Sequence, residues 1–98
     1  MNTVMLVGRL VERDALRFTP AGIALLNAKL AHQSEQTEAG GKRGVDFEIE
    51  LLFAGEAAVQ ADRLVLGQHL SVSGFLAHKR RQSRTLQLHA TGYELVSS

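Results

Sequence analysis

Four basic residues lie within six positions near the end of the chain, with no acidic residue among them: Lys79, Arg80, Arg81 and Arg84. Cations at this density can neutralise the phosphates of a nucleic-acid strand and release its counterions. A solvated polar hairpin is the alternative interpretation, but so many cations would be unusual in one. The formal net charge of the whole chain is only +1. The local cluster, and not the overall charge, therefore predicts binding to a polyanion.

Further candidate contacts lie in two other stretches of the chain. Phe18, flanked by Arg17, is the best exposed candidate for stacking on a base. Lys42 and Arg43 belong to the polar, glycine-containing stretch 33–44, which is predicted to be a long mobile hairpin loop. Such a loop could fold over a bound strand and bring its two cations to the phosphates.

Aromatic side chains stack on the bases of single strands, at ~1–3 kcal/mol per base. Here they are scarce and comprise only Phe18, Phe47, Phe53, Phe75 and Tyr93. The alternating pattern around Phe47 and Phe53 places both on the core face of a strand. Phe75 could face either the core or a binding cleft. Any binding is therefore predicted to be mostly electrostatic and sensitive to salt.

The residues that catalysis or metal binding would need are missing or scattered. The chain has no cysteine, which excludes a disulfide framework, a thiol nucleophile and a cysteine zinc site. Its histidines lack metal-ligand spacing, and it has no phosphate-binding loop or serine elbow. We therefore predict no enzymatic activity, no metal and no cofactor. It has no apolar run of about 18 residues and no signal-peptide pattern, which predicts a cytoplasmic protein without membrane contact.

The elements that must position these residues follow from hydrophobic alternation and turn signals. An alanine-rich helix is predicted between the third and fourth of five strands, at about residues 54–64. The strands are predicted at residues 4–11, 23–32, 45–53, 66–76 and 85–96. This order is typical of the OB-fold, an all-β, five-stranded Greek-key barrel, and predicts one domain over residues 1–98. The basic cluster then occupies the hairpin between the last two strands, which is one wall of the OB-fold cleft.

Four stretches of this sequence, in order, resemble the primosomal replication protein N (PriB) family, which is related to bacterial single-strand DNA-binding proteins. They are Leu6-Val7-Gly8-Arg9-Leu10, then Leu16-Arg17-Phe18-Thr19-Pro20-Ala21-Gly22-Ile23, then Gly67 with Val72-Ser73-Gly74-Phe75-Leu76, and finally Leu88-His89-Ala90 with Glu94-Leu95. The resemblance implies a homodimer of OB-folds that joins the PriA helicase at abandoned replication forks. It also implies that the protein helps to recruit the next primosome protein and supports replication restart.

The same resemblance assigns roles to particular cations. Arg17 matches a basic position near the first turn of the family. Lys79, Arg80 and Arg84 fall in the family's basic last hairpin, although the loop is shorter here. These residues are expected to contact single-stranded DNA.

The chain also departs from the family pattern at the second hairpin. Where well-known members carry exposed aromatics, this chain has Gly41 and Asp46, and a cation late in the second strand is replaced by Gln33. Asp46, Glu48 and Glu50 alternate on one face of the third strand, and this acidic face would repel phosphate. We therefore expect weak single-strand binding, with protein contacts carrying more of the function.

Two other functions remain open at the level of sequence. The chain could be a protein-interaction adaptor with little DNA affinity, whose basic hairpin meets an acidic partner surface. It could instead be an RNA-binding OB domain, which would prefer RNA because only RNA has the 2′-hydroxyl group.

Overall fold

The computed structural model describes residues 1–97 of the chain. In this part of the chain there are six strands and one short helix. In chain order they are β1 (Val4–Arg13), β2 (Arg17–Phe18), β3 (Ala24–Glu38), β4 (Gly41–Ala54), α1 (Glu56–Ala61), β5 (His69–His78) and β6 (Leu86–Leu95).

Five of these strands close into a barrel. β1 pairs antiparallel with β5 through Val4–Arg9 and with β3 through Arg9–Arg13. This one strand therefore joins β3 to β5 and closes the barrel. β6 pairs antiparallel with β5 and parallel with β4, which completes the circle. The remaining strand, β2, is a two-residue strand that pairs with β3 only. The barrel with a helix between β4 and β5 confirms the predicted OB-fold.

The core consists of the inward-facing residues of the barrel strands. The largest fully buried side chains are Phe53, Leu10, Leu26, Leu30, Leu51, Leu70, Leu88 and Val72. Burying each of them is worth roughly 1.5–3 kcal/mol relative to exposure. Gly74 allows β5 and β6 to approach closely at a bulge, since a Cβ at that position would lie 1.9 Å from the carbonyl oxygen of His89.

The stretch 33–44 is not the mobile loop that the sequence predicted. β3 continues to Glu38 and β4 begins at Gly41, so the two strands form a regular ribbon that projects from the barrel. Ala39 and Gly40 form its turn with φ values of 52° and 79°, and a tight hairpin turn requires such positive φ values. The prediction was wrong because a ribbon beyond the core has no buried face, and so it shows no hydrophobic alternation.

The same extension of β4 explains a second correction. Phe53 is fully buried as predicted, but Phe47, predicted on the core face, is 39% exposed. Its position on β4 lies beyond the end of the barrel, where it packs on His32 with ring centroids 4.9 Å apart. His32 Nδ1 lies 2.7 Å from the carbonyl oxygen of Val7, which ties the base of the ribbon to β1.

The helix α1 is shorter than the predicted 54–64, and it packs against the barrel through Ala58 and Ala61. Arg13 holds the segment that follows, because its guanidinium donates to the carbonyl oxygens of Asp62 and Leu64, both at 2.9 Å. No helix within residues 1–97 is long and apolar enough to cross a membrane.

Candidate nucleic-acid interface

A cleft of about 490 Å³ opens between the β1–β2 connection and the start of the β5–β6 hairpin. Its floor is the outer surface of β3 and β4. It is lined by Glu12, Arg13, Asp14, Arg17, Asn27, Ala28, Lys29, Glu50 and Lys79. OB-folds bind oligonucleotides on this surface, between these same two connections.

The basic hairpin, defined here as residues 79–84, is a compact loop. The Lys79 N–H donates to the carbonyl oxygen of Thr85 at 2.8 Å, and the Ser83 N–H donates to that of Arg80 at 2.9 Å. These bonds fix the backbone of the loop. The side chains of Arg80, Arg81 and Arg84 are exposed, and they form no ion pair with any residue from 1 to 97. Their charges are therefore available to an external anion.

Lys79, the first cation of the basic hairpin, is paired with an acid. Lys79 Nζ lies 2.9 Å from Glu50 Oε1, and the two side chains are 40% and 31% exposed. The other carboxylate oxygen of Glu50 is buried and has no hydrogen-bond partner among the described residues. The Lys79 charge is thus neutralised at the edge of the cleft by an acid that belongs to its floor.

Two further cations in the cleft are also bound by neighbours. Lys29 Nζ lies 3.1 Å from Glu12 Oε2. This hydrogen bond, together with the charge of Glu12, raises the pKa of Lys29 above its usual 10.5. Arg17 donates to Asn27 Oδ1 and remains exposed. The cleft itself therefore mixes four cations with three acids.

The remaining predicted contacts lie away from the cleft. Phe18 is 62% exposed, but it alternates with Arg17 on β2 and so points to the opposite side of that strand from the cleft. Lys42 and Arg43 lie on the ribbon, where each is 3.4 Å from a glutamate, Glu35 and Glu38 respectively.

The structure thus separates the predicted site residues into three groups. Arg17 and Lys79 line the cleft, and Arg80, Arg81 and Arg84 continue from Lys79 along the basic hairpin. Phe18, Lys42 and Arg43 do not join them. Sequence reasoning missed Glu12 and Asp14 as cleft acids, because nothing in their spacing reveals that the end of β1 and the residue after it lie beside the cations.

Phe75, which the sequence could not assign, lies outside the core. It is 40% exposed and stacks on His89 of the neighbouring strand, with ring centroids 4.9 Å apart and an interplanar angle of 17°.

Known proteins are similar to this chain over nearly its whole length. A family model described as "Another single-strand binding protein family" matches residues 2–92. The replication restart protein PriB of Nitrosomonas europaea is 35% identical over 95 residues, which cover 97% of this chain and 88% of that protein. These matches include the barrel, the ribbon and the basic hairpin.

Solved structures support the same relationship. The structure of the protein PriB from Ralstonia solanacearum superposes with a TM-score of 0.88 at 39% identity and covers 99% of both chains. The single-stranded DNA binding protein from Thermus aquaticus superposes with a TM-score of 0.79 at 28% identity, and the match covers 100% of this chain and 51% of that one.

Proposed function

This chain belongs to the PriB family of single-strand binding proteins, and we propose that it binds single-stranded DNA as an accessory protein of replication restart. Proteins of the PriB and single-strand binding families bind DNA and are not enzymes. The observation that carries the proposal is a trio of exposed arginines on the hairpin whose first residue, Lys79, lines the OB-fold cleft. They are Arg80, Arg81 and Arg84, and they have no ion-pair partner in residues 1–97. Cations of this kind bind the phosphates of a strand without reading its sequence.

The other predicted contacts have graded roles in this proposal. Arg17 lies in the cleft and contacts a phosphate from the opposite wall. Lys79 contributes only when it leaves Glu50, and Lys42 and Arg43 contribute weakly because glutamates accompany them. Phe18 stacks on a base only if the strand leaves the cleft across β2.

We further propose that the protein acts together with the PriA helicase and other primosome proteins at stalled forks, as the family resemblance implies. The mixed charge of the cleft supports this part of the proposal. A cleft with four cations and three acids gives a modest affinity for DNA, so a partner that holds the protein at the fork would raise its local concentration there.

The proposed functional unit is a homodimer in which residues 1–98 of each copy act as one OB-fold domain. Two features of β1 support it. One edge of the Val4–Gly8 half of β1 pairs with β5. The pairing of β1 with β3 begins only at Arg9, so the other edge of Val4–Gly8 has no partner strand in residues 1–97. Met5 and Val7 on the same segment are 70% and 46% exposed. An open edge with apolar side chains is suited to pairing with a second copy, and sedimentation equilibrium of the wild-type protein tests this directly.

The proposed DNA binding is tested by fluorescence anisotropy of a labelled oligo(dT) across a salt series. About four phosphate contacts predict a slope of log affinity against log salt near −3, at ~0.7 per phosphate. Replacing two cations in R80Q/R81Q should bring the slope to about −1.5 for the same reason. R63Q is the matched control, because Arg63 is an exposed arginine that lies outside both the cleft and the basic hairpin.

The other outcomes point to a different function or to a different contact. No binding at low salt would contradict the proposal and favour the adaptor, whose basic hairpin meets an acidic protein surface. A strong preference for oligo(U) over oligo(dT) of equal length would favour an RNA-binding domain. A slope that R80Q/R81Q leaves unchanged would show that the hairpin is not the contact.

A further inference from the structure

The cleft between the β1–β2 connection and the basic hairpin contains cations but no aromatic side chain among its described lining residues. Single-strand binders combine cations with aromatic platforms, because the phosphates supply the electrostatic term and stacked bases supply the rest. A strand held by the arginines would therefore gain little from this cleft beyond charge. An aromatic surface that could add stacking lies on the outside of the β5–β6 hairpin.

Phe75, which is exposed, and His89, which is half-buried, form an aromatic pair on the stem of that hairpin. They are direct partners in the β5–β6 register. Their rings are nearly parallel, at 17°, with centroids 4.9 Å apart, and 40% of Phe75 remains exposed to solvent. The adjacent residues Gly74, Leu88 and Ala90 are buried, so the alternation of the strands directs both rings outward.

A hollow of about 310 Å³ lies beside this pair. It is formed by Leu52, Ala54, Glu56, Ala57, Phe75, His89, Ala90 and Thr91, most of which are small or apolar. Glu56 is the only acid among these residues, so the hollow suits a flat uncharged ring better than a phosphate.

The position of the pair on the hairpin connects it to the unpaired arginines. Phe75 lies on β5 and precedes Lys79, the first residue of the basic hairpin, by four residues. At a rise of ~3.3 Å per residue, Phe75 lies about 13 Å along the strand from the start of the basic hairpin. A strand whose phosphates meet Arg80 and Arg81 can therefore run along the outer face of the hairpin and place a base at Phe75.

We propose that Phe75, supported by His89, is a base-stacking platform for single-stranded DNA that leaves the basic hairpin. This inference rests on the proposed DNA-binding function and adds a contact of a different kind. Stacking releases no counterions, so the platform contributes to affinity at every salt concentration and leaves the salt slope unchanged.

The test compares F75A, F75L and F75W with the wild type by oligo(dT) anisotropy over the same salt series. F75A and F75L should each bind about ten-fold more weakly, which is within the range measured for one stacked base, with the wild-type slope retained. F75W should bind within about two-fold of the wild type because it keeps an aromatic face. The chain has no tryptophan, so quenching of the single Trp fluorescence by unlabelled oligo(dT) should report the stacking directly.

Controls separate this contact from other roles of Phe75. V65A is the matched variant, since Val65 is an apolar residue that is 58% exposed outside the platform. Circular dichroism and thermal unfolding check the fold of each variant. If F75A does not fold, the comparison of F75L with F75W decides, because both keep a large apolar side chain and only one keeps a ring.

The alternative outcomes are distinct. If the wild type binds with the expected slope and both F75A and F75L bind equally well, the platform is overturned while the proposed function stands. If the wild type does not bind at all, the proposed function itself fails. If F75A lowers the sedimentation mass of the protein without DNA, the pair is an interface between copies of this chain, and the platform is likewise overturned.

Discussion

Two hairpins project from the barrel, and both carry cations that the sequence singled out. On the β3–β4 ribbon, Lys42 and Arg43 each lie 3.4 Å from a glutamate of the facing strand. On the basic hairpin, Arg80 and Arg81 have no acid within ion-pair distance among residues 1–97. Two cations on each hairpin thus give a nearly neutral ribbon in one place and a positively charged loop in the other.

The difference comes from backbone pairing. The ribbon is a continuous ladder, so each cation of β4 lies across from or diagonal to a residue of β3, and Glu35 and Glu38 occupy those positions. The β5–β6 ladder ends at His78 and Leu86, so the loop between them has no facing strand. Cation density therefore predicts an electrostatic surface only where the register leaves the charges without a partner.

The largest effect is expected from reversing the charges of the open arm. R80E/R81E removes two phosphate contacts, each worth ~0.7 in the salt slope, which is roughly 60-fold in affinity at about 50 mM salt, and it adds repulsion. We expect a loss of at least that size in oligo(dT) anisotropy, with R63E near the wild type. A loss below about five-fold would mean that the two hairpins differ in charge but not in function.

A smaller effect, of opposite sign, is expected from releasing Lys79. E50Q removes the carboxylate 2.9 Å from Lys79 Nζ and one acid from the cleft floor. A partly exposed ion pair is worth about 0.2–1 kcal/mol, so freeing its cation should tighten binding by about three-fold. The slope should steepen by up to ~0.7, because one more cation can meet a phosphate.

The matched control for E50Q is E48Q, which neutralises the next acid on the same strand face without touching Lys79, since Glu48 does not line the cleft. Equal gains from the two variants would show that general acidity, and not the pairing of Lys79, weakens the cleft. A loss of affinity in E50Q would show that Glu50 positions Lys79 for DNA.

The contrast between the barrel and the ribbon also shows how much of the fold the sequence alone could predict. The order of five predicted strands, with a helix between the third and the fourth, predicted the barrel. The clearest of these strands runs from Val45 to Phe53, because a strand with one buried face has a visible period. The ribbon was missed because it buries neither face. The position of Phe47 was wrong for a different reason, since the alternation of β4 continues to a residue that lies beyond the end of the core.

The binding residues were predictable to a lesser degree. The cluster from Lys79 to Arg84 is local in sequence, and so is the loop that presents it. The partners of Lys29 and Lys79 are Glu12 and Glu50, which are 17 and 29 residues away in the chain. Whether a cation is free depends on such distant pairs, and composition does not contain that information.

The smallest effect is expected from removing the paired cations of the ribbon. K42Q/R43Q deletes as many positive charges as R80Q/R81Q does, so the two variants are a matched pair. We expect K42Q/R43Q to weaken oligo(dT) binding by less than about two-fold and to change the slope by less than ~0.7, because Glu35 and Glu38 already offset these charges.

The companion variant E35Q/E38Q removes the acids and keeps the cations. If Glu35 and Glu38 are what prevents the ribbon cations from binding DNA, this variant should bind oligo(dT) more tightly than the wild type and with a steeper salt slope. A two-stranded ribbon is only marginally stable in water, so far-UV circular dichroism must first show that both variants keep it.

If K42Q/R43Q instead weakens binding as much as R80Q/R81Q, exposed ion pairs open readily on contact with DNA. In that case the whole ribbon belongs to the interface, and proximity to the strand, not freedom from an acid, decides which cations bind.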